Sequence, residues 1–218
     1  MKHTCAILLA GGTGSRMGSK TPKQYLPLDG KPMALHSFAV LASSKMIGSI
    51  VIVAAEEYRH LFPKVDKPVV FAMPGLTRQQ SVENGFNAAS EAADFFCIHD
   101  SARPFITLDL VDSVCVSAFT YGAAALGCRV KQTIKEVGAD GLVKKTLNRE
   151  CLWEIQTPQV IRNDLLQAGF DKANERNQIV TDDVSLAELV GHPVKIVESS
   201  YSNIKITTPE DLEYAARS

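Results

Sequence analysis

The sequence predicts an α/β fold: a mostly parallel sheet covered by helices on both faces. Two observations carry this. Short runs such as Ala6-Ile7-Leu8-Leu9 and Ile50-Val51-Ile52-Val53 are apolar at nearly every position, as strands buried on both faces are. Between such runs lie segments of helical length and helical apolar spacing. At 218 residues the chain is long enough for one such domain with a substantial core.

In order along the chain, strands are expected at 4–10, 49–55, 68–73, 94–99, 123–130 and 194–197. Helices are expected at 33–43, 77–92, 107–121, 162–174 and 182–190. The alternation gives a Rossmann-like layout, in which ligands bind at the carboxyl ends of the strands. The first strand ends abruptly on Gly11 and Gly12, Thr77 is placed to cap the helix at 77–92, and Thr181-Asp182-Asp183 reads as a cap for the last helix. One region breaks the pattern. Segments 130–135 and 142–146 are strand-like and flank Ala139-Asp140-Gly141, a hairpin signal. A projecting hairpin arm is therefore expected at about 130–150, packed on its own domain or, as the sharper reading, on a second copy of the chain. The chain otherwise reads as a single domain over 1–218, without repeats or linkers.

Composition excludes several function classes. With 23 Lys and Arg against 24 Asp and Glu, nothing marks a nucleic-acid or membrane-surface binder, so a cationic site must be local. No segment is long and apolar enough to span a bilayer, and residues 5–10 are too short for the apolar region of a signal peptide. Cys5, Cys97, Cys115, Cys128 and Cys151 are scattered and mostly within apolar runs, so reduced thiols and a cytoplasmic setting are expected, without zinc.

The glycine-rich run Leu9-Ala-Gly-Gly-Thr-Gly-Ser-Arg-Met-Gly18 follows the first strand. Glycines let backbone N–H groups approach phosphate oxygens closely. The run is not a P-loop, because no Gly-Lys-Ser/Thr stands in register. It is not the dinucleotide fingerprint either, because Met17 occupies the third glycine position and the acids Glu56 and Glu57 lie well beyond the spacing of about 20 residues. A ligand-free strand-to-helix turn remains the plain alternative. Arg16 and Lys23 weigh against it: a fork and a point charge beside the loop suit a triphosphate, and Pro22 stiffens the approach to Lys23. Farther on, Gly75 and Ser81 bracket the start of a helix, and Arg78 reads as an ion-pair partner or a neighbour of a base. His99-Asp100-Ser101-Ala102-Arg103-Pro104 ends a strand; Asp100 there suits Mg²⁺, Arg103 can orient it or meet substrate, and His99 reads as structural.

Together these motifs resemble the 2-C-methyl-D-erythritol 4-phosphate cytidylyltransferases of the non-mevalonate isoprenoid pathway. The likeness runs end to end through Leu9–Gly18, Pro22-Lys-Gln-Tyr-Leu26, Arg78–Gly85, His99–Pro104, Gln156-Thr-Pro-Gln159, Thr181-Asp-Asp183 and Asn203-Ile-Lys-Ile-Thr207. The resemblance implies attack of a sugar-alcohol phosphate on the α-phosphorus of CTP, with release of pyrophosphate. It implies that Ala10, Gly11 and Gly12 meet the cytidine and Gly14 the phosphates, while Gly75 and Ser81 line the cytosine pocket. Arg16, Lys23 and Lys205 become catalytic cations; Asp100 binds Mg²⁺ and substrate, with Arg103 beside it. Thr181 contacts methylerythritol phosphate, and Thr133 and Arg149 of the arm bind its phosphate, reaching into the partner's site of a homodimer. Pro74 and Leu76 depart from the usual Gly-Gly-acid lead, and Ser202 stands where some members carry an acid. Ribitol-5-phosphate cytidylyltransferase shares most motifs and is the nearest rival; a sugar-1-phosphate nucleotidyltransferase and an inactive nucleotide-binding relative are more distant ones.

Overall fold

A computed structural model describes residues 2–12, 21–89 and 93–215. Seven strands form the main sheet: β1 (Thr4–Leu9), β4 (Ser49–Val53), β5 (Val69–Ala72), β6 (Phe95–Asp100), β7 (Ala123–Arg129), β10 (Trp153–Arg162) and β11 (Lys195–Glu198). Across the sheet they run in the order β11-β7-β10-β6-β1-β4-β5. β1 lies parallel between β4 and β6, β4 pairs parallel with β5, and β11 pairs parallel with β7. A small ribbon of β2 (Pro27–Leu28) and β3 (Lys31–Pro32) lies outside this sheet.

Alternate residues of β1 show why the strand is apolar throughout. Ala6 and Leu8 pack on one face with Phe38 and Leu41 of α1 (Ala34–Ser43) and with Val111, Val114 and Ala118 of α3 (Leu108–Tyr121). Cys5 and Ile7 pack on the other face with Val82 of α2 (Arg78–Asn87), Leu166 and Phe170 of α4 (Asn163–Glu175), and Leu186 of α5 (Val184–Leu189). Burial of each such aliphatic side chain stabilises the fold by about 1.5–3 kcal/mol. A third cluster joins Leu28, Met33 and Ala102 to Ile206 and to Ala215 of α6 (Pro209–Ala215), which fastens segment 203–207 beside the end of β6.

The six strands expected for the main sheet all form, with ends shifted by a few residues. The helix expected over 77–92 ends at Asn87, and residues 90–92 lie outside the described ones. One strand was not legible. β10 inserts antiparallel between β6 and β7, so the sheet is mixed at its centre. Gln156-Thr157-Pro158-Gln159 lies inside it, where the register shifts between Ile155 and Gln159. Polar residues and a proline, which lacks a ladder donor, read as a loop in sequence. Here they are buried, because their side chains bond across the bulge: Gln159 accepts from the N–H groups of Asp183 and Val184 at 2.8 and 2.9 Å, anchoring the start of α5.

The hairpin arm forms with β8 (Lys135–Val137) and β9 (Val143–Thr146), later than the first expected strand at 130–135. Both strands are solvent-exposed along their length, and Val137, Leu142 and Val143 are 50%, 69% and 58% exposed. Four cysteines are buried and Cys151 is exposed, all five as free thiols. No described helix is long and apolar enough to cross a membrane.

Candidate active site

A cleft of about 380 Å³ opens where β1, β5 and β6 end at their carboxyl edge. Gly11 and Gly12 line one wall and Gly75, Arg78 and Ser81 another; Asp100, Lys23 and Lys205 complete it. Two glycines are fixed by close approach. A Cβ on Gly11 would stand 2.4 Å from Cγ of Pro74, and one on Gly75 would stand 2.6 Å from Cβ of Gln80. The departure at Pro74 thus seals the back of the loop.

The glycine segment is held by its carbonyls. Ser101 donates its N–H and its hydroxyl to the Leu9 carbonyl at 3.1 and 2.7 Å. The Ala10 carbonyl accepts from the Tyr25 hydroxyl at 2.7 Å and from Nε2 of Gln24 at 2.9 Å. The Gly12 carbonyl accepts from the same Gln24 amide at 2.8 Å. Tyr25 stacks on Tyr58 with ring centroids 4.0 Å apart, and burial raises its hydroxyl's pKa, so it stays a neutral donor.

The charged groups are paired. Asp100 is 7% exposed. Its Oδ2 lies 2.6 Å from Nζ of Lys205 and its Oδ1 lies 3.0 Å from Arg78. Burial works to raise its pKa, but Arg78 and Lys205 outweigh that and hold it well below the usual carboxylate range. Arg78 also forks onto buried Asp183 at 2.6 and 2.7 Å, bridging two carboxylates. Burial pushes the Asp183 carboxyl up against the pull of Arg78. The neighbouring acid caps a helix instead: Asp182 accepts from the Ser185 N–H at 3.3 Å in the first turn of α5. Nζ of Lys23 donates to the Ile206 carbonyl at 2.6 Å, one residue from Lys205.

His99 is fully buried. Its Nε2 faces the Arg103 carbonyl at 3.2 Å, which only accepts, so the ring proton sits there and Nδ1 accepts from the Thr157 hydroxyl at 3.0 Å. Thr157 in turn accepts from the Asp100 N–H at 3.1 Å. Burial lowers the imidazole pKa to about 4, which leaves it neutral and structural.

The expected site residues divide into groups. Lys23, Lys205, Gly11, Gly12, Gly75, Ser81 and Asp100 meet in this cleft. Ser81 spends its hydroxyl on the backbone, accepting from the Gly75 N–H at 3.0 Å and donating to the Thr77 carbonyl at 2.9 Å. Ala10 is buried behind the loop and does not line the cleft. Nor does Arg103, whose guanidinium donates to the Asn203 carbonyl at 2.7 Å. Thr181 borders a separate shallow recess with Ser185 and Leu189. Thr133 and Arg149 sit exposed on the arm and its base, Arg149 bonding the Lys131 carbonyl at 2.5 Å. Gly14 and Arg16 lie outside the described residues. Sequence reasoning missed Gln24 and the Arg78–Asp183 bridge: a glutamine between Lys23 and Tyr25 carries no sign that it will be buried.

The donor set suits Mg²⁺ only in one way. Among the described residues no three His, Cys, Asp or Glu side chains gather to cage a cation. Asp100 offers one carboxylate whose Oδ2 keeps a second lone pair beside Lys205, and Mg²⁺ is commonly held by one or two carboxylates with substrate phosphates. The site fits an ion that arrives with a nucleotide.

The family model described as 2-C-methyl-D-erythritol 4-phosphate cytidylyltransferase matches residues 4–217. A chloroplastic enzyme of that name from Oryza sativa subsp. japonica is 46% identical over 99% of this chain and 74% of its own length. One from Pelotomaculum thermopropionicum is 41% identical over 99% of this chain and 93% of its own length. The crystal structure of that enzyme from Francisella tularensis superposes with a TM-score of 0.85 at 32% identity, covering 98% of each chain. A 4-diphosphocytidyl-2C-methyl-D-erythritol synthase structure from Anaerococcus prevotii gives a TM-score of 0.88 at 28% identity, covering 99% of this chain and 97% of that one. The chain belongs to the 2-C-methyl-D-erythritol 4-phosphate cytidylyltransferase family.

Proposed function

We propose that this protein transfers the cytidylyl group of CTP to 2-C-methyl-D-erythritol 4-phosphate, giving 4-diphosphocytidyl-2-C-methyl-D-erythritol and pyrophosphate. The observation that carries the reading is the meeting of Lys23, Lys205 and Asp100 with the glycine segment in one cleft, in a chain of this family.

In this reading the acceptor's phosphate oxygen attacks the α-phosphorus, the bond to the β-phosphate breaks, and pyrophosphate leaves. Such transfers need positioning and charge stabilisation more than a covalent side chain. Lys205 leaves Asp100 for the α-phosphate, and Lys23 leaves the Ile206 carbonyl for the same crowded, anionic centre. Arg16 and Gly14 meet the outer phosphates; Gly75 and the start of α2, with Ser81, border the base. Asp100 would hold Mg²⁺ brought in with the nucleotide, and the ion would supply charge that offsets that of the phosphates. Arg78 keeps Asp100 ionised and aimed throughout. Thr181, which borders the separate recess, is kept as an acceptor contact on the strength of the family resemblance alone.

The arm supports a homodimer. A two-stranded hairpin is marginal alone, and here its apolar residues are open. Docked on a second copy, it would carry Thr133 and Arg149 to the partner's acceptor phosphate. Magnesium, the dimer and a cytoplasmic setting are parts of this proposal. The test is pyrophosphate release from CTP and Mg²⁺ with methylerythritol 4-phosphate, with ribitol 5-phosphate and with no acceptor. Release that requires methylerythritol 4-phosphate is expected; release with ribitol 5-phosphate alone would replace this reading.

A further inference from the structure

We infer that Gln24 is a positioning residue for the nucleotide, setting the orientation of the glycine-loop peptides that CTP meets. The inference rests on the cytidylyltransferase reading and goes beyond it. Gln24 is 3% exposed and reaches the cleft wall from the short turn Lys23–Tyr25. Its amide nitrogen has two protons, and the two acceptors they meet are the carbonyls of Ala10 and Gly12, at 2.9 and 2.8 Å. One side chain thus grips the chain on both sides of Gly11.

The electrical consequence follows from peptide geometry. The Ala10–Gly11 peptide is trans, so a carbonyl turned toward Gln24 turns the Gly11 N–H the opposite way. Among the described residues, no hydrogen bond engages the N–H of Gly11, the group whose direction the Ala10 carbonyl sets. Glycines rotate easily, so without a tether these peptides could present carbonyl oxygens to an anion as readily as N–H groups. Gln24 holds the negative ends of the dipoles at its own side. Tyr25 reinforces one of the two bonds, at Ala10, and cannot replace the one at Gly12. Lys23, the adjacent residue, is a cleft cation, so the same turn delivers a charge and shapes the loop.

The test compares Gln24→Glu with Gln24→Met. Glu has nearly the same shape but, ionised, donates nothing and sets an anion against two carbonyl oxygens. Met keeps the length without polarity, and serves if the Glu variant fails to fold. Steady-state pyrophosphate release and thermal melting are measured on both. The inference expects KM for CTP to rise about tenfold or more while KM for methylerythritol 4-phosphate stays within about twofold, in folded protein whose melting temperature falls because two buried bonds are lost. A parent-like KM for CTP in both variants overturns it. So does a joint rise of both KM values, the mark of a merely structural residue. Should the parent itself release no pyrophosphate, the functional reading falls instead. Calorimetric CTP binding by parent and variants then decides this inference on the same tenfold criterion.

Discussion

The cleft and the arm solve opposite problems. In the cleft the polar groups at the ends of β1 and β6 are tied: Asp100 to Arg78 and Lys205, the Leu9, Ala10 and Gly12 carbonyls to Ser101, Gln24 and Tyr25. On the arm the strands stand open, with Val137, Leu142 and Val143 toward solvent and one exposed ion pair, Glu136–Lys145 at 3.0 Å. The cleft is built within one chain. In the proposed reading the arm acquires its use against another surface. Substitutions should therefore be costly to folding in the first region and nearly silent in the second, where only substrate handling or assembly changes.

The largest effect is expected at Arg78. Arg78→Leu strands buried Asp183 without its cation and leaves Asp100 with Lys205 alone, which should cost about 3–5 kcal/mol in denaturant unfolding. A loss below about 1 kcal/mol would show that the bridge is screened and break the contrast. Next comes Lys23→Ala. Turnover should fall about 10²–10³-fold, as when one preorganised donor is lost, with CTP binding changed far less. Equal losses in the two would assign Lys23 to ground-state binding.

On the arm, Arg149→Ala should raise the acceptor's KM about tenfold while CTP binding and unfolding stay at parental values. A mixed dimer of the Lys23 and Arg149 variants should regain part of the activity, and its failure to do so would argue for sites confined to one chain. The smallest effect on folding is expected for Leu142→Asp: less than about 0.5 kcal/mol, because an exposed side chain loses little. Sedimentation should nonetheless show a weaker dimer. An unchanged dimer would move the interface elsewhere on the molecule.

What the sequence made legible follows the same division of forces. Strands buried on both faces announce themselves, so β1, β4 and β6 were readable to within a few residues. The cations and the glycines were readable because phosphate chemistry calls for those residue types. β10 was not, since its polar and proline centre imitates a loop and its burial depends on partners far along the chain, in Asp183 and Val184. Asp182 and Asp183 were indistinguishable in sequence, and only the fold separates a helix cap from a buried counter-ion. Gln24 was overlooked for a related reason: a carboxamide has no pattern, and its importance comes wholly from what it touches.

Lys23 and Lys205, resting on Ile206 and on Asp100, have a consequence for the empty protein. A cavity with bare ammonium groups would collect any small anion in the cell and stay clogged. Here an incoming polyanion must trade places with internal partners, so loading is an exchange. Weak, single-charge competitors gain little from that exchange, while a triphosphate offers several charges to the ammonium groups at once and, in the proposed reading, a metal ion to the vacated carboxylate.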